Sequence, residues 1–94
     1  MPAVALLSLD LHFPGTRSLK EKRGVLRSVK DRLRKFNVGV SETDHQDLWQ
    51  RAGLAVAAVG SDRTTVKQSL DQVLNEIERR DPGVVIGTDI EWLT

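Results

Sequence analysis

Residues 3–23 read AVALLSLDLHF PGT RSLKEKR, and this stretch decides the fold. Ala5, Leu7, Leu9, Leu11 and Phe13 fall on one face of a period-two pattern. Val4, Leu6, Ser8, Asp10 and His12 fall on the other. Alternation of an apolar and a mixed face predicts a strand over 3–13. Pro14-Gly15-Thr16 predicts a turn. Ser18 followed three residues later by Glu21 is the pattern of a capping box, in which a serine opens a helix and a glutamate closes back on it. Leu19, Val25, Leu26, Val29 and Leu33 follow at helical spacing, so the first helix is expected over 18–35.

Working outward, 36–40 is expected as a second strand, 42–47 as a polar connection, and 48–60 as a third strand rich in Ala and Val. Ser61-Asp62 signals a second helix start. Val66, Leu70, Val73, Leu74 and Ile77 carry that helix to about residue 80, and Asp81-Pro82-Gly83 stops it. A last strand is expected over 84–93. The order β-α-β-β-α-β predicts a ferredoxin-like α+β fold, with two helices on one face of a four-stranded antiparallel sheet. Residues 1–94 are then one domain, because two would each fall below about 50 residues. The uncovered sheet face is not cleanly polar: Val4 and Leu6 lie there, and the third and fourth strands have apolar residues on both faces. Such a face predicts an interface, a homodimer being the plainest form.

Composition narrows the function classes. Apolar residues make up 39% and charged residues 29% at a net charge of +1, a globular rather than a disordered balance. No apolar run approaches the ~20 residues that cross a bilayer, and the start lacks the pattern of a signal peptide, so a cytoplasmic protein without membrane attachment is expected. The absence of cysteine removes disulfides, thiol catalysis and cysteine-type zinc sites. With two histidines, little remains for a metal or a His-dependent reaction; neither a catalytic residue nor a cofactor is expected.

The near-neutral total conceals an asymmetry. Residues 17–35 hold nine basic residues and two acids, a local +7; the remainder holds five basic and eleven acidic residues, a local −6. Lys20, Arg23, Arg27, Lys30 and Arg34 step by three and four and form one stripe about 80° wide, separate from the apolar stripe. Lys20, Lys22 and Arg23 also crowd the positive end of the helix dipole, at ~0.3–1 kcal/mol each. A solvated helix face is the plain alternative. The row suits a phosphate backbone, with Arg17, Ser18 and Lys22 holding a phosphate at the helix start. Aromatic platforms of the RRM kind are not expected: there is no Tyr, Phe13 falls on the helix-facing side and Phe36 starts the second strand. A nucleic acid should therefore meet the first helix and the loop before it.

The segment 41–51 gathers Glu42, Asp44, His45, Asp47, Trp49 and Arg51. Its carboxylates and histidine suit a divalent ion or an acid–base pair, but the spacing fits no EF-hand or catalytic pattern. The plain expectation is a polar turn, Arg51 paired with a carboxylate and Trp49 an anchor under a loop or at a dimer interface. Asp10 and His12 share a strand face without a nucleophile beside them. Pro14-Gly15-Thr16 is not a P-loop.

Ser18-Leu19-Lys20-Glu21-Lys22-Arg23, Val25-Leu26, Arg32-Leu33-Arg34, Phe36-Asn37-Val38 and above all Asp44 to Ala52 (DHQDLWQRA) resemble the YlxP-like family of small bacterial proteins. The resemblance spans nearly the whole chain; Gly39 and Thr43 depart from the commoner pattern. It implies a ferredoxin-like fold and a bacterial cytoplasmic protein. The family has no established function, so no site residues come with it, although its genes tend to lie among translation and ribosome-maturation genes. The expectation is a non-catalytic RNA-binding or ribosome-associated protein, with Arg17, Ser18, Lys20, Lys22, Arg23, Arg27, Lys30 and Arg34 as its contacts. A protein-interaction module using the open sheet face, and a metal-dependent activity at 42–47, are the alternatives.

Overall fold

A computed structural model describes all residues, 1–94. Its elements are β1 (Ala3–His12), α1 (Leu19–Leu33), a short 3-10 turn (Arg34–Phe36), β2 (Gly39–Asp44), β3 (Arg51–Gly60), α2 (Arg63–Arg80) and β4 (Val85–Trp92). The sheet is antiparallel in the order β2-β3-β1-β4, the ferredoxin-like arrangement. In β1 the burial alternates as the sequence pattern requires: Ala5, Leu7, Leu9 and Leu11 are at most 2% exposed. They pair with Ala58, Val56, Leu54 and Ala52 of β3, which are also buried. Leu26, Val29 and Leu33 of α1 and Val66, Leu70, Val73 and Ile77 of α2 close the core from one side. Fully burying a Leu or Val contributes about 1.5–3 kcal/mol, so this layer carries the fold.

Both helix starts are capped. Ser18 Oγ accepts from the Glu21 N–H at 3.1 Å, and Glu21 reaches back to the Arg17 N–H at 2.7 Å. Asp62 Oδ1 accepts from the Thr65 N–H at 2.8 Å, and these bonds hold its carboxyl below the usual range. The hairpin differs from expectation. The first helix ends at Leu33 rather than 35, and residues 36–38 do not open the strand expected over 36–40: Arg34–Phe36 forms the 3-10 turn and Asn37 adopts a left-handed φ of 58°. β2 instead extends into the polar residues to Asp44, and Leu48, Trp49 and Gln50 lie in the loop before β3. β2 is an edge strand, and its inward side alternates Val40 with Glu42, which an apolar count does not see.

Candidate nucleic-acid interface

α1 has three faces. Leu26, Val29 and Leu33 enter the core. A second face borders the cleft next to β4. The third looks over the β2 edge, where Arg23, Arg27, Lys30 and Arg34 line a groove of about 310 Å³ with Leu26 and Glu42. These four cations span about 16 Å at ~1.5 Å per residue. Lys20 is exposed too, but turns toward the β4 cleft with Glu21 and Arg32. The expected stripe therefore divides, four cations on the groove and one beyond it.

Pairing separates these cations further. Within 17–35, ion pairs form at Lys22, Arg32, Arg34 and Lys35. Arg17, Lys20, Arg23, Arg27 and Lys30 form none. The Arg34–Asp31 pair, at 3.0 Å, is exposed on both sides and contributes under about 1 kcal/mol. The groove thus presents cations that no acid of the chain neutralises.

Lys22 requires a correction. It is 1% exposed, and its ammonium donates to the carbonyl oxygens of His45 (2.8 Å), Arg51 (3.0 Å) and Gln46 (3.4 Å), with Glu42 Oε2 at 3.1 Å. A phosphate cannot reach it. Sequence charge alone does not distinguish an inward lysine from an outward one, but its helical angle does: Lys22 lies between Leu26 and Val29 on the core face. Ser18 lies at the helix start as expected, its oxygen engaged in the cap, and Arg17 is exposed beside it.

The polar segment separates in the same way. Glu42 turns inward to Lys22, whereas a register shift between Glu42 and Asp44 places Asp44 over Gly53 on the open face. A Cβ on Gly53 would stand 2.6 Å from that of Asp44, so only glycine fits there. His45, at φ 57°, brings its ring 3.7 Å from Asp44 and 3.8 Å from Asp10. Arg51 donates to Asp10 at 2.7 Å, the carboxylate pairing expected of it; Asp10 pairs across strands rather than with His12. Nowhere do three or more His, Asp or Glu side chains converge to hold a metal ion. Glu42, Asp44, His45 and Asp47 are thus not brought together as a donor set. Trp49 is not buried under a loop, the first of the two anchor positions expected of it: it is 55% exposed, with Leu48 at 47%. No helix is long and apolar enough to cross a membrane.

Comparison with known proteins agrees with the fold and leaves the chemistry open. A de novo designed protein, Foldit4, superposes with a TM-score of 0.62 over 100% of this chain and 98% of its own, at 12% identity. At that identity the likeness shows the fold alone, and a fold by itself does not set a function. The uncharacterized protein YlxP of Bacillus subtilis (strain 168) is 47% identical over 62 residues, 65% of this chain and 67% of that one. The model of a protein family of unknown function, DUF503, matches residues 4–90. With almost the whole chain inside that match, the protein belongs to the DUF503 family.

Proposed function

We propose that the protein binds single-stranded RNA, or RNA on the ribosome, through the α1 face at the β2 edge, without catalysis, in a bacterial cytoplasm. The observation that supports this is the groove formed by Arg23, Arg27, Lys30 and Arg34, three of which have no acidic partner. Like charges at i,i+3 and i,i+4 repel, so the row costs stability in the free protein and gains when phosphates replace the missing acids. Arg17 and Lys20, exposed and without an acidic partner, add positive charge near the start of α1, outside the groove. Backbone contacts position but do not specify, so sequence selectivity is low. The test is fluorescence anisotropy with a short single-stranded oligo(U). Arg23→Glu/Arg27→Glu should abolish binding with the circular dichroism spectrum unchanged; unaltered affinity would remove α1 from the interface.

A second reading, a protein-interaction module, draws support from the open sheet face. Val59 is 61% and Leu93 56% exposed there, with Val4, Leu6, Ala55 and Ala57 around them. A homodimer through this patch is compatible with RNA binding, since the patch and α1 lie on opposite faces of the sheet. Val59→Lys would break such a dimer in sedimentation experiments; a chain that sediments as a monomer at all concentrations would remove it.

A further inference from the structure

The loop between β2 and β3 displays an indole at the end of the molecule where α1 begins. Trp49 is more than half exposed, yet the backbone beneath it is tightly held. Thr16 Oγ1 donates to the Trp49 carbonyl, and the Phe13 N–H donates to the Gln50 carbonyl at 2.8 Å. Gln50 Nε2 donates to the carbonyls of Pro14 (3.1 Å) and Thr16 (3.3 Å). On the other flank Lys22 holds the carbonyls of His45 and Gln46 from inside. The loop is therefore fixed from both sides, against the segment leading into α1. The protein forms this brace without burying the ring it supports.

A loop backbone fixed in this way presents the indole to a planar partner with little further ordering of the loop. Arg17 lies one residue beyond the bracing Thr16, and Lys20 and Arg23 follow in the first turns of α1. A phosphate row that leads toward an exposed aromatic is the arrangement by which proteins hold unpaired bases. Resting on the RNA reading above, we propose that Trp49 is a base-stacking residue that selects single-stranded over duplex RNA, whose bases are stacked on one another and not free to leave the helix. Lys22 is then a positioning residue: it touches no RNA and fixes the loop that carries Trp49.

The test compares a short single-stranded oligo(U) with an RNA duplex by anisotropy, using wild type, Trp49→Ala, Trp49→Phe and the Arg23→Glu/Arg27→Glu variant. Trp49→Ala should weaken oligo(U) binding about 10-fold and leave duplex binding and the salt slope unchanged, while Trp49→Phe retains most of the affinity. Thermal melting of each variant checks that the fold is kept. Oligo(U) binding by Trp49→Ala equal to wild type, with the charge reversal still abolishing it, would overturn the stacking role and leave the backbone reading standing. An equal loss for oligo(U) and duplex would assign Trp49 to the loop's structure and also overturn it. Absence of binding by wild type to either RNA would overturn both.

Discussion

α1 and α2 perform the same structural task and treat their charges differently. Each buries an apolar stripe on the sheet and starts with a side-chain cap. In α2 the exposed cations are largely engaged: Lys67 with Asp71, Arg79 with Glu76 at 2.8 Å, and Arg63 over the Trp92 ring at 4.9 Å. In α1 the cations that turn toward α2 are engaged as well, Arg32 with Asp81 and Lys35 near Glu76. Of those that line the groove at the β2 edge, Arg23, Arg27 and Lys30 are not, and Arg34 has only the exposed Asp31. Packing on a sheet thus requires an apolar stripe and caps, and it does not require the cation row. What distinguishes α1 is a face whose charge the fold leaves unbalanced.

The comparison is sharpest between neighbours on α1. Lys22→Met should lower unfolding stability by about 3 kcal/mol, because Glu42 and three carbonyls lose their donor inside the protein. For a domain of this size that lowers Tm by at least about 10 °C. Adding Glu42→Leu should recover part of the loss, since both members of the pair are then apolar. Urea titration measures both variants. A loss as small as that expected for Arg23→Ala would mean that the buried and exposed cations do not differ as described.

On α2 the corresponding lever is Glu76, buried at 6% exposure and approached by Arg79, Arg32 and Lys35. The Arg79 hydrogen bond, against a smaller opposing effect of burial, holds its carboxyl below the usual value of 4.5. A lowered folded-state pKa gives stability that is fully present above the unfolded value and fades as pH falls through and below it. Melting curves should therefore decline below about pH 4.5, and Glu76→Gln should make that decline shallower while lowering stability at neutral pH. An identical acid limb in the variant would show that the charges around Glu76 do not tie the helices together.

The smallest effect belongs to the exposed row. Arg27→Ala should change stability by less than about 0.5 kcal/mol, and the change should favour the folded state, since a like charge is removed from beside Arg23 and Lys30. Urea unfolding at low salt measures it most sensitively. A clear destabilisation would mean that Arg27 has a structural partner.

Much of this architecture is legible in the sequence because most of it rests on apolar periodicity and caps. β1 alternates cleanly, and Ser18 and Asp62 mark both helix starts. The bounds of β2 are not legible in the apolar pattern because it is an edge strand in which an inward position is Glu42, neutralised by Lys22 from another element. Neither residue looks like core until the two are seen together. For the same reason Lys22 resembled a surface cation by composition, although its helical angle already set it beside Leu26 and Val29. The exposure of Trp49 was not legible either. Its position follows from bonds between Thr16, Pro14 and Gln50 that join loops more than thirty residues apart.

The central claim, that the unbalanced face of α1 exists for phosphates, is tested most directly by the affinity for single-stranded oligo(U) across a salt series. Four neutralised phosphates predict log K falling against log salt with a slope of about −3, reduced by roughly 0.7 in Arg27→Ala. Binding with a flat salt dependence, or a slope unchanged by Arg27→Ala, would contradict the account.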